Sequence, residues 1–119
     1  MTQRSQGNLN FLKELNLLLE YSDKIYSSYL ESNKLFLYAK ILYDTNQKIL
    51  KLLLSNAYNC DKTVQKDATE LMFHLDVWSA IWKETAAAKK PTLKDVFVFD
   101  NDVNFPKESV ERLLSSGLN

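Results

Sequence analysis

From Asn8 to Lys90 the chain contains neither glycine nor proline. The few it has, Gly7, Pro91, Pro106 and Gly117, stand at the margins of that stretch or in the tail. Sheet proteins of this size recruit Gly, Pro or Asn-Gly at their tight turns. So long a run without them argues against hairpins and for helices. Cysteine is down to one, Cys60, which excludes an intrachain disulfide and suits a reducing compartment. Histidine is also down to one, His74. That excludes the paired Glu-x-x-His motifs of di-iron bundles and the two-histidine sites of nuclease-like centres. No apolar run approaches the roughly 18–20 residues that cross a bilayer, so no membrane span is expected. The opening Met-Thr-Gln-Arg-Ser-Gln-Gly-Asn lacks the apolar centre of a signal peptide, which makes a cytoplasmic location the expectation.

A net charge is missing as well. Fifteen basic residues balance fifteen acidic ones, and only Arg4 and Arg112 are arginines. Nucleic-acid binders carry a basic surplus and lean on arginine for phosphates and base edges, so no nucleic-acid partner is expected. Glycine loops for phosphate or dinucleotide and zinc-ligand spacings are absent too, and no cofactor is expected.

What remains is a chain of 119 residues, 45% hydrophobic and 25% charged, enough for one folded domain and too short for two. After a polar, frayed segment over 1–8, apolar residues recur at helical spacing: Phe11, Leu15, Leu18, Ser22, Ile25 and Tyr29. The first helix is read over about 9–31, capped by Asn8 or Asn10. Ser32-Asn33-Lys34 is a weak breaker, and one continuous helix over 9–56 is the alternative to a turn there. A second helix, about 34–57, is apolar around most of its circumference and should be the most buried. Asp61 or Thr63 can cap a third helix over about 62–89, whose Val64, Ala68, Leu71, Leu75, Trp78 and Trp82 form a heptad seam suited to antiparallel packing. Lys89 and Lys90 suit its carbonyl end and Pro91 stops it.

The segment 91–105 is irregular or a short helix. Thr92-Leu93-Lys94-Asp95 resembles a capping box with Asp in place of Glu, whereas Val96-Phe97-Val98-Phe99 is rich in strand formers and could plug the bundle as an extended piece. A last helix spans about 106–116, with Pro106 in its first turn and Gly117 as its cap. The expected architecture is an all-α antiparallel bundle of three long helices plus a short C-terminal helix, resembling a four-helix bundle.

Few residues carry chemistry. Glu70, His74 and Trp78 are spaced by four and share a helix face, as an acid–base pair or as the wall of a ligand pocket would. A packed histidine bonded to a carboxylate is the plainer account. Cys60 beside Asp61 reads as an incidental thiol. Asp100, Asp102, Asn104 and Glu111 match positions of a calcium loop, but Phe105 stands where that loop needs glycine, and a solvated turn explains them as well. The acidic tail could dock on the second helix's lysines, Lys40, Lys48 and Lys51. With one His and one Cys, no nucleophile–base pair can be assembled, so an enzyme is not expected.

Two functions follow. The first is a protein–protein interaction module (an adaptor, a chaperone-like or a neutralising partner), self-associating as a homo-oligomer. It would use the second helix and tail through Phe36, Tyr43, Leu54, Phe73, Phe97 and Phe99. The second is a small-molecule- or metal-binding bundle using the His74 region or the loop from Asp100 to Glu111.

Overall fold

The computed structural model describes residues 6–98 and 105–116. Four helices follow one another: α1 (Gln6–Glu31), α2 (Phe36–Asn56), α3 (Lys62–Lys89) and α4 (Lys107–Ser116), with a 3-10 turn, Ala57–Asn59, between α2 and α3. The chain is thus the all-α bundle that its spacing implies. It is elongated, with extents of 54 × 22 × 21 Å. Among the described residues no helix is long and apolar enough to cross a membrane.

α1 starts earlier than its asparagines suggest. Asn8 and Asn10 lie within the helix instead of at its start, and residues 1–5 of the expected frayed segment lie outside the described residues. α1 and α2 are separate helices. Asn33 and Lys34 both take left-handed backbone (φ 61 and φ 62), and the Lys34 N–H donates to the Tyr29 carbonyl at 2.7 Å. Asparagine tolerates this region, whereas lysine holds it at a cost of about 1–2 kcal/mol that its surroundings must offset. At α3 the Asp61 carboxylate accepts from the Val64 N–H at 3.0 Å, the expected cap, and Lys90 (φ 46) closes the other end as a left-handed C-cap.

The surroundings that offset the Lys34 cost come from the segment after α3. Residues 92–98 form no helix. Asp95 does reach back to the Thr92 N–H (2.8 Å), as in a capping box, but the chain then runs extended as a strap across the α1–α2 turn. Leu35 and Val96 make an antiparallel bridge. The Phe36 N–H donates to the Asp95 carbonyl (2.8 Å) and the Phe97 N–H to the Lys34 carbonyl (2.7 Å). These bonds give backbone groups at the start of α2 the partners that a buried helix end requires.

The strap ends in Phe97, which is fully buried. It meets Phe36 edge-on at 5.0 Å and Trp82 at 5.4 Å, while Tyr43 stacks on Trp82 at 4.4 Å. These rings, with Ile25, Tyr29, Ala39, Leu42 and Trp78, make an upper core. A lower core gathers Phe11, Leu12, Leu15, Ile49, Leu53, Val64, Leu71 and, from α4, Val110 and Leu113. α2 packs along both α1 and α3, and α4 bridges α3 and α1 at the lower end. Arg112 of α4 makes a two-pronged pair with the buried Asp67 carboxylate of α3 (3.0 and 3.2 Å). Among the described residues the tail's ion pair is with α3, through Arg112, and Asp100 and Asp102 of the expected acidic docking lie outside the described residues. The guanidinium is held above its ordinary pKa by the hydrogen bond to Asp67 and that residue's charge.

Truncating a fully buried phenylalanine removes its transfer free energy and leaves a void. Phe97→Ala should destabilise the fold by about 3–5 kcal/mol in urea titrations. Phe73→Ala, on the solvent side of α3, should stay within about 0.5 kcal/mol.

Candidate ligand-binding cavity

Between the two cores the bundle is neither filled nor apolar. α4 wedges α1 and α3 apart at the lower end and Phe97 fills the upper end, which leaves a cavity of about 490 Å³ in the middle. α1 lines it with Leu19, Ser22, Asp23, Tyr26, Tyr29 and Leu30. Lys34, Leu42 and Asn46 close a second side, and His74, Leu75 and Trp78 of α3 a third. Val98 and Phe105 stand at its mouth.

A belt of polar side chains runs through this level. Thr45, Asn46, His74 and Ser79 are all buried, and Ser22 is half-buried. The Ser22 hydroxyl donates to the Asn46 carboxamide oxygen at 3.3 Å, and the Gln47 amide donates to Ser79 Oγ at 2.7 Å. The His74 ring meets Phe105 edge-on at 5.3 Å, and Trp78 is backed by Tyr43 at 6.3 Å. Tyr29 joins belt and strap. Its ring lines the cavity, and its hydroxyl donates to the Phe97 carbonyl. Of the lining residues only Asp23 and Lys34 carry formal charge, one of each sign, with Asp23 exposed and Lys34 half-buried.

The residues anticipated for function are not brought to one place. His74 and Trp78 enter the cavity wall, whereas Glu70 is exposed and is not part of the lining. Phe36 and Phe97, expected on a partner surface, are buried in the upper core because an aromatic plug was needed there, and Tyr43 is half-buried against both tryptophans. Leu54 (66%) and Phe73 (68%) are exposed, on different helices. Phe99, Asp100, Asp102 and Asn104 lie outside the described residues, and Glu111 is exposed on α4. Among the described residues no three His, Cys, Asp or Glu side chains are placed to hold a metal ion.

The cavity's own polar residues, Ser22 and Asn46, went unassigned in the sequence, although each interrupts an apolar row. Ser22 stands between Leu18 and Ile25, and Asn46 between Leu42 and Ile49. A polar residue in the middle of a seam is the signal that could have found them. Comparison with family models, curated proteins and solved structures gives no match.

Burial, and secondarily Tyr26, pushes the Tyr29 phenol above its ordinary value. The folded state thus favours the protonated phenol. Its contribution is fully present below the unfolded value of about 10 and is lost as pH rises through the raised folded value. Tyr29→Phe should be less stable than the wild type by a constant margin between about pH 6 and 9, and that margin should shrink above about pH 10. Urea titrations across that range will show it.

Proposed function

We propose that this protein is a small-molecule-binding helical bundle whose ligand sits in the cavity between α1, α2 and α3. The observation that carries this reading is a cavity open on one side whose inner wall carries the polar side chains Ser22, Asn46 and His74. Burying polar side chains costs free energy unless they are hydrogen-bonded, and an unfilled volume costs packing. A bundle selected only to fold would fill this layer with leucine. Preformed concavities with apolar and aromatic walls and a few polar groups are where small ligands bind. The cavity's volume falls inside the usual span of roughly 300–1,000 Å³.

Thermal-shift screening with a fragment library is the direct test, since a ligand that binds only the folded state raises Tm by mass action. Fragments that stabilise the wild type should lose their effect in Ser22→Leu, whose larger side chain occupies the cavity, with circular dichroism checking that the variant stays helical. A library in which no compound shifts Tm, or shifts it equally in Ser22→Leu, defeats the reading.

A second reading rests on a different observation. Leu54, Tyr58, Phe73 and Leu17 are each about two-thirds or more exposed. Such side chains suit an interaction module working in the cytoplasm, one that pairs with itself or another protein. The surplus is smaller than the girth of α2 implies, because α1, α3 and the strap cover most of that helix. Light scattering across a hundredfold dilution should show a concentration-dependent dimer that Leu54→Asp abolishes; a monomer throughout would refute self-association.

A further inference from the structure

Resting on the ligand-binding reading above, we propose that the cavity's ligand is an uncharged, flat heteroaromatic molecule with a hydrogen-bond donor and acceptor side by side, and that Asn46 reads that edge. Three observations converge on this class. The first is shape: Tyr26, Tyr29, His74, Trp78 and Phe105 all contribute rings to the lining. Ring faces and edges pack most favourably against another ring, in offset or edge-on geometry. A volume of about 490 Å³ exceeds the needs of a single six-membered ring and accommodates a bicyclic one.

The second is charge. The buried part of the wall holds a carboxamide, hydroxyls, an imidazole and an indole, whereas the exposed Asp23 and half-buried Lys34 oppose one another in sign. An ion carried to the level of Asn46 would lose its hydration with no Asp, Glu, Lys or Arg of α2 or α3 in the described lining to face it, a cost an uncharged guest avoids.

The third is the hydrogen-bonding edge. A carboxamide offers an acceptor and two donors in one plane. That arrangement pairs in two-pronged fashion with a neighbouring donor and acceptor, as carboxamides do with adenine. The bond from Ser22 to Asn46, at 3.3 Å, is longer than the usual O–H···O spacing of about 2.7–2.8 Å. It is a weak contact, readily supplemented or replaced by a guest that matches both functions of the amide.

Titration calorimetry of the intact protein with adenine, indole, benzoate and 1-hexanol tests the class. Adenine carries the paired edge, indole a ring with one donor, benzoate a charge, and hexanol neither ring nor edge. The expected order places adenine first, indole at least about tenfold weaker, and the other two weaker still. Asn46→Leu should weaken adenine about tenfold or more and change indole by less than about twofold. Asn46→Ala, which deletes the edge without adding bulk, should do the same and serves if the leucine variant loses its helical circular dichroism. Tightest binding by benzoate or hexanol overturns the ligand class while leaving the cavity reading intact, as does adenine binding that neither variant weakens. Binding of none of the four overturns this proposal; the cavity reading itself stands or falls by the fragment screen and its Ser22→Leu comparison.

Discussion

The constraint on which the rest depends is that α2 packs along both of its neighbours while α1 and α3 are bridged by other parts of the chain. Three amphipathic helices cannot close their shared interior alone when two of them diverge, so later residues must fill it. At one end the filler is α4, which inserts Val110 and Leu113. At the other it is Phe97, a single ring delivered by a strap with little regular structure of its own. Among the described residues neither filler occupies the middle, and the cavity lies between them. Its wall carries the polar side chains Ser22, Asn46 and His74 at a level where purely apolar residues would have packed more closely.

The two fillers are held by different physics. Phe97 is held by apolar and aromatic burial, reinforced by backbone bonds to Lys34 and by the Tyr29 hydroxyl. α4 is short, and its docking combines two aliphatic side chains with the pair between Arg112 and Asp67. That pair contributes orientation more than net stability, because withdrawing the Asp67 carboxylate from water opposes the attraction that the guanidinium supplies. Once the carboxylate is buried, Arg112 is the group that makes its burial tolerable, and only one placement of α4 satisfies it. Specific docking of a ten-residue helix by a charge pair fits a chain whose overall charge is zero.

Much of this was legible in the residues. The α3 seam from Val64 to Trp82 is buried throughout, because a repeat of four and three residues leaves one face no other use. The bounds of α3, set by Asp61 at one end and Lys90-Pro91 at the other, followed from cap chemistry. The strap was harder. The Asp95 carboxylate does accept from the Thr92 N–H, one half of a capping box, but the Asp95 N–H donates to the Thr92 carbonyl as in a turn, and the chain goes on to bridge to Leu35 instead of opening a helix. Phe36 and Phe97 were misplaced on the surface for the same reason, since periodicity reports which face a residue is on but not whether a distant segment covers it. Of the cavity, His74 and Trp78 were visible as a spaced pair. Ser22 and Asn46 were not, since no single helix reveals that two polar interruptions lie opposite one another.

The strap also sets an order of events during synthesis. A ribosome releases α1 and α2 long before Phe97, yet the turn between them contains a lysine in left-handed backbone that the strap's hydrogen bonds hold in place. Until Phe97 has been made, Phe36 lacks the ring that covers it and the turn lacks the strap's hydrogen bonds. Translation has to carry the chain beyond residue 98 before the upper half can close, and beyond Leu113 before α4 completes the lower one, so both cores wait on segments made after α3.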